Sequence, residues 1–219
     1  MMQNRKKFIS ELETLNNKVI DMGKEVITSF ENVLNACKTM NTNLAKEIIL
    51  HDKFINDIEV SINVDAYLLI AKQCPVATDL RRVITALKIA TDLERIGDYA
   101  VNISKYIINT KNDNSIYMKS IMKLLEHFLT MMRGIMEAVG KDNIELALQI
   151  NEMDETLDNE YKNEVKNLIK IGKSKSEEEA EEAMRALLVF KQIERAGDHV
   201  TNIAENIVYL VNGKRVELN

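Results

Sequence analysis

Apolar residues recur at steps of three and four from Phe8 through Leu12, Leu15, Val19, Met22, Val26 and Phe30 to Leu34. That spacing gathers them on one face of an α-helix. "KTMNTN" interrupts the pattern, and a second run begins near Leu44 and passes Ile55, Ile62 and Leu69 to a stop at "QCP". Pro75 cannot continue that helix but suits the start of another, predicted from about Val76 to Ile108. "NTKNDNS", Asn109 to Ser115, is the most polar stretch and the predicted boundary between two halves. The plan then repeats. A helix from about Ile116 ends near "VGKDN", another runs from Ile144 to Ile171 and stops at "GKSKS", and the last runs from about Glu177 to Val211. Asn212 and Gly213 suit its C-terminal cap.

One amphipathic helix cannot bury its own stripe, whereas three joined by short turns can. The pattern therefore predicts an all-α fold of two tandem antiparallel three-helix bundles, residues 1–110 and 113–219, arising from internal duplication. Composition agrees. One Pro, seven Gly and no Trp in 219 residues leave too little punctuation for an all-β fold. With 46% hydrophobic and 29% charged residues, a packed core is expected. Met118, Met122, Met131, Met132, Met136 and Met153 read as core filler or an adaptable contact surface. Because Met131 and Met132 are adjacent, one of them is expected to face outward.

A net charge of −5 argues against nucleic-acid binding. In "KSKSEEEAEEAMR" basic residues lead straight into acidic ones, which reads as a solvated helix start. Cys37 and Cys74 read as free thiols in a reducing compartment. No apolar run approaches the ~18 residues of a membrane span, and "MMQNRKKFISELETL" has no apolar segment behind its basic residues. A cytoplasmic protein without membrane insertion is expected.

Two strings are not explained by packing alone. "DLERIGDYAVNI" (Asp92 to Ile103) returns one hundred residues later as "QIERAGDHVTNI" (Gln192 to Ile203), with Glu, Arg, Gly, Asp, Asn and Ile in register. On a helix Glu94 stands one turn below Asp98, and Glu194 one turn below Asp198. Thr91, Glu94, Asp98, Asn102 and Lys105 form a polar stripe between two apolar ones, matched by Lys191, Glu194, Asp198, Asn202 and Glu205. Gly97 and Gly197 each cost roughly 1 kcal/mol inside a helix, which suits a close neighbour there. Carboxylate pairs at this spacing present oxygens to a common point, as iron, manganese or magnesium require. A facing helix supplies Asp154 and Asp158 in the second half. The first half offers Asp52 and Asn56, with Asp57 adjacent and Glu59 as a further oxygen. The bland alternative is that these acids pair with Arg95 and Arg195 on a wet surface.

"PVATDLRRVITALKIATDLERIGDYAVNI" (Pro75 to Ile103) and "IERAGDHVTNIAENIVYLVNGK" (Ile193 to Lys214) resemble the two copies of the most recognisable stretch of the PhoU family of bacterial phosphate-uptake regulators. With the paired three-helix layout, the resemblance covers essentially the whole chain. It implies acidic motifs, Glu or Asp followed four residues on by Asp, that hold multinuclear iron or zinc clusters in some members. Carried over, these are Glu94 with Asp98, Glu194 with Asp198, Asp154 with Asp158, and Asp52 with Asn56. Asn56 departs from the pattern and puts a first-half cluster in doubt unless Asp57 or Glu59 substitutes. The resemblance further implies a non-enzyme, often a homodimer. Such a protein links a Pst-type phosphate transporter ATPase to a PhoR-type sensor histidine kinase and restrains phosphate uptake and the starvation response.

Two rivals remain on sequence: a metal-free helical scaffold, and a carboxylate-bridged di-iron oxidase. The oxidase needs Glu-x-x-His motifs facing a core, and His51, His127 and His199 stand at no such spacing. There is no Gly-x-Ser-x-Gly, and "GKSKS" lacks the upstream glycines of a phosphate-binding loop.

Overall fold

The helix boundaries fall at the breakers. In the computed structural model, which describes residues 2–110, 116–172 and 176–218, six helices follow one another. They are α1 (Met2–Thr39), α2 (Thr42–Gln73), α3 (Ala77–Asn109), α4 (Ile116–Lys141), α5 (Ile144–Gly172) and α6 (Glu177–Asn212). No strand occurs among the described residues. Asn41 Oδ1 accepts hydrogen bonds from the Asn43 and Leu44 backbone N–H groups and so caps α2. Cys74 closes that helix in the left-handed conformation, φ 45°, one residue before Pro75. Ser176 and Glu179 form a reciprocal capping box on α6. The acidic run Glu177 to Glu179 thus sits in the first turn, where the helix dipole favours negative charge. Gly213, at φ 70°, ends α6. Residues 111–115 of the predicted boundary and 173–175 of "GKSKS" lie outside the described residues.

Helices α1, α2 and α3 pack on one another, as do α4, α5 and α6, giving two three-helix bundles. The bundles join through α1 against α4 and α3 against α6. Both junctions are antiparallel. Glu31 pairs with Arg133 at 2.7 Å and Lys38 with Glu126 at 3.0 Å, so α4 descends as α1 rises. Asn102 Nδ2 donates to Gln192 Oε1 at 3.4 Å and Asp92 meets His199 at 2.9 Å, which fixes the same sense for α3 and α6. The apolar stripe read on α1 is the core: Leu15, Val19, Met22, Val26 and Phe30 are all buried. Each large side chain so removed from water contributes about 1.5–3 kcal/mol. Phe30 meets Phe128 across the seam at 4.4 Å between ring centroids. Because α1, α3, α4 and α6 form the junction, α2 and α5 are left on the two outer flanks, with no contact between them among the described residues.

One expectation fails here. Met131 and Met132 are both fully buried. Helix α4 packs against α1 on one side and against α5 and α6 on the other, so adjacent side chains about 100° apart both find a core. The free thiols also differ. Cys37 is buried, and burial pushes its pKa up to about 12, whereas Cys74 is exposed.

Candidate functional site

The polar stripe of α6 faces α5, and the repeated acids meet there. Asp154 is buried, 6% exposed, on a face of α5 that packs against α6 at Gly197. A Cβ at residue 197 would lie 2.9 Å from Asp154 Oδ1 and 2.8 Å from Leu157 Cδ2, so only glycine admits this approach without displacement. Burial, and then the charges of Asp198 and Asp158, push the Asp154 carboxyl up to about 6. The Thr201 hydroxyl opposes that shift and Glu194 adds to it. Glu194 is itself raised, first by burial, with Lys191 opposing and Asp198 and Asp158 adding. Asp198 is raised by burial and by Asp158, against Lys191. Four carboxylates therefore share one sheltered space, and Asp154, Glu194 and Asp198 are raised by it. Two lysines neutralise its rim: Lys191 Nζ lies 2.6 Å from Glu194 Oε1, and Lys162 Nζ lies 2.9 Å from Asp158 Oδ2.

The first half repeats this with one member changed. Asp52 and Asn56 of α2 face Glu94 and Asp98 of α3. Asp52 is raised by burial and by Asp98, and Glu94 by burial, Asp98, Glu59 and Asp52, with Arg95 opposing. Asn56 Nδ2 donates to Asp52 Oδ2 at 3.2 Å, which substitutes a neutral donor for the missing charge. Asp52 Oδ1 and Asn56 Oδ1 are left buried with no hydrogen-bond partner. Buried acceptors in that condition cost about 1–3 kcal/mol each. Around Gly97 the approach is looser, with a Cβ 3.5 Å from Asp52 Oδ1 and 3.6 Å from Ile55 Cγ2.

Of the predicted site residues, Asp57 is not brought in. It is exposed, because five residues from Asp52 turn a helical side chain through about 140°. Glu59 is brought in: it accepts from Asn63 Nδ2 at 2.7 Å and from Thr91 Oγ1 at 3.4 Å, beside Glu94. The bland alternative holds for one arginine only. Arg95 lies 3.6 Å from Glu94 and 3.5 Å from Asp98, whereas the Arg195 guanidinium sits 5.9 Å from the Tyr99 ring centroid. Each histidine meets a carboxylate outside the acidic sets: His51 with Glu25, His127 with Glu160, His199 with Asp92. Thr201, Lys162 and the role of Lys191 went unnoticed in the sequence. Lys191 was legible only as a member of the stripe, since its pairing with Glu194 depends on rotamer and burial.

Among the described residues no group of three or more His, Cys, Asp and Glu side chains is arranged so that it could hold a metal ion. The donor set is nevertheless of the chemical kind that hard and intermediate cations prefer. It is all oxygen, sheltered and mutually repelling, and in the first half it includes two unpartnered acceptors.

Fold and site together define a duplicated, all-α protein with an oxygen-lined acidic centre in each half. The PhoU domain model matches residues 19–107 and again 121–207. The chain belongs to the PhoU family. It is 35% identical, over 98% of its length and 99% of the relative's, to the phosphate-specific transport system accessory protein PhoU homolog of Clostridium acetobutylicum. It is 32% identical to the phosphate-specific transport system accessory protein PhoU of Escherichia coli, over 94% of this chain and 86% of that one. The crystal structure of PhoU from Pseudomonas aeruginosa superposes with a TM-score of 0.90 at 28% identity, covering 94% of this chain and all of that one. The regulatory protein PhoU of the Streptococcus pneumoniae phosphate transport system gives 0.89 at 27% identity, covering 96% and 99%. No described helix is long and apolar enough to cross a membrane.

Proposed function

We propose that this protein is a cytoplasmic accessory of a phosphate-specific transport system and a negative regulator of phosphate uptake and of the phosphate-starvation response. It acts by contact with a Pst-type transporter ATPase and a PhoR-type sensor histidine kinase, and it is not an enzyme. The observation that carries this reading is similarity over 98% of the chain to a relative named as such an accessory protein. Residues 1–110 and 113–219 are its two structural units. Deleting the gene in its host should raise starvation-gene expression while phosphate is plentiful. A reporter that stays low in the deletion strain would overturn the reading.

Within that function the acidic centres are metal sites for iron or zinc, with manganese or magnesium as lesser alternatives. Asp154, Asp158, Glu194 and Asp198 would hold the ions of the second half. Asp52, Glu94 and Asp98 would do so in the first, with the Asn56 carbonyl oxygen and Glu59 completing the set. Bound cations would neutralise carboxylates that otherwise repel across the α5–α6 and α2–α3 contacts. Their role is to clamp helix to helix and so to set the surface the protein offers. The mutual raising of Asp154, Glu194 and Asp198 supports this.

A further inference from the structure

One end of the junction between the halves holds a cavity that neither acidic centre uses. Its volume is about 360 Å³, within the range of roughly 300–1,000 Å³ typical of small-molecule sites. All four junction helices wall it: Leu12 and Val19 of α1, Ile89 of α3, Val139 of α4, and Ile207 and Leu210 of α6. The wall runs from Ile9 to Val19 on α1 and from Asp79 to Ile89 on α3, so the slot is about 15 Å long. Its two ends differ. The end at Val19 and Ile89 is apolar, whereas Glu13, Asp79, Arg82 and Asp142 stand toward the end where α3 begins and α4 stops. Arg82 Nη2 already lies 2.7 Å from Asp142 Oδ2. Among the described residues no cation meets Glu13 or Asp79, so this end carries net negative charge. Between the ends lies Thr85, 3% exposed, whose Oγ1 is buried with no hydrogen-bond partner. Threonines inside helices commonly donate to the carbonyl four residues back, as Thr28, Thr91, Thr130 and Thr201 do. Thr85 forgoes that bond at the cavity wall, and a buried hydroxyl left so is destabilising.

We propose that this cavity binds a primary amine with a compact apolar tail. The proposal rests on neither the regulatory nor the metal reading. The tail lies along the slot toward Val19 and Ile89, where its burial removes apolar surface of both partners from water. The ammonium stays at the acidic end, where Glu13, Asp79 and Asp142 outnumber Arg82. An ammonium of this kind carries three N–H donors and no acceptor. Thr85 stands about 4.5 Å beyond Arg82 along α3, within reach of that head, and its Oγ1 accepts one of those bonds while carboxylates accept the others. A carboxylate head would meet like charge at Glu13 and Asp79, which is costly, and would find the one guanidinium already paired. An alcohol head would satisfy Thr85 and leave the free acids unanswered. Charge thus separates the amine from its neutral and anionic analogues. Because the walls come from both halves, an occupant ties one bundle to the other and stabilises the folded chain.

Titration of the full chain with octylamine, octanol and octanoate at neutral pH, by calorimetry and methyl NMR, tests this. Octylamine should bind about tenfold more tightly than octanol, with octanoate weaker still, and should shift the methyl signals of Ile89, Val139 and Ile207. Glu13→Gln should narrow the preference for amine over alcohol about threefold. Thr85→Val keeps the shape and removes the acceptor. It should weaken octylamine about tenfold and raise the melting temperature of the free protein, a pair of changes that a purely structural threonine would not give. Ala86→Leu fills the slot from α3 and should abolish binding of every compound. If that variant loses helical circular dichroism, Thr85→Val and Glu13→Gln decide. No shift at the cavity methyls, octanoate binding as tightly as octylamine, a folded Ala86→Leu that still binds, or octylamine affinity unmoved by Thr85→Val would each overturn the proposal.

Discussion

The two halves share a backbone plan and differ in how tightly and with what charge they are filled. In the second half, α5 presses onto α6 at Gly197, and Asp154 is buried among three other carboxylates. In the first half, α2 stands slightly further from α3 at Gly97, and Asn56 replaces one acid. A neutral amide relieves repulsion, so on the proposed metal reading the first half would need a cation less and hold one less strongly. On the same reading the second half, with four acids, would be the more strained without a cation. Divalent ions held by oxygen depend on the number of charged ligands, so the centres are expected to differ in affinity rather than in ligand chemistry.

The largest effect expected is on bound metal. Asp198→Asn should remove most of it, and Asp98→Asn less, with elemental analysis of protein purified without chelators or an affinity metal as the readout. Equal losses would break the asymmetry, and no metal in any sample would leave the metal-free scaffold. Neither variant should unfold, since the apolar stripes are untouched.

Acid should act more on the second half than on the first. Asp154 has an ordinary pKa of 3.8 and is held at about 6 in the fold, so the folded chain binds the extra proton between those values. Its contribution is therefore most favourable below about pH 4 and is lost as pH rises through 6. For metal-free protein, Asp154→Asn should add about 1–3 kcal/mol of stability at pH 7.5 and nothing near pH 4. Urea denaturation at both pH values reads this directly. A gain that persists unchanged at low pH would assign the effect to packing instead.

The smallest contrast is between the glycines. Gly197→Ala forces Leu157 and Asp154 aside and should cost about 1–2 kcal/mol. Gly97→Ala meets only ordinary contact distances and should gain up to about 1 kcal/mol from helix propensity. Urea midpoints that move the same way for both would show that the two helix approaches are alike.

Much of this was legible in the sequence, because the chain has few breakers and each was used. The stops at "QCP" and Gly213, and the one-hundred-residue repeat, locate helices and acids alike. What failed were questions of side-chain direction. Met131 and Met132 are both buried because α4 is enclosed on several sides, which periodicity within one helix does not report. Asp57 stood beside Asn56 in the sequence but points away from it in the fold. The apolar outer face of α2 escaped notice for a related reason. With apolar residues on both its inner and its outer face, α2 gives little phase by which to tell a core face from an uncovered one, and the more polar outer face of α5 makes the difference visible.

The antiparallel pairing of α1 with α4 and of α3 with α6 is the arrangement by which two separate three-helix chains would form a symmetric pair. Joined in one polypeptide, the partners meet at an effective concentration in the millimolar range instead of their cellular one. Fusion has a second effect. In a pair of identical chains every substitution is written twice, so an amide in one acidic centre would be an amide in both. A fused pair writes it once. Asn56 beside Asp52 where the second half has Asp158, and an apolar outer face on α2 where that of α5 is polar, are differences that only the tandem form can hold.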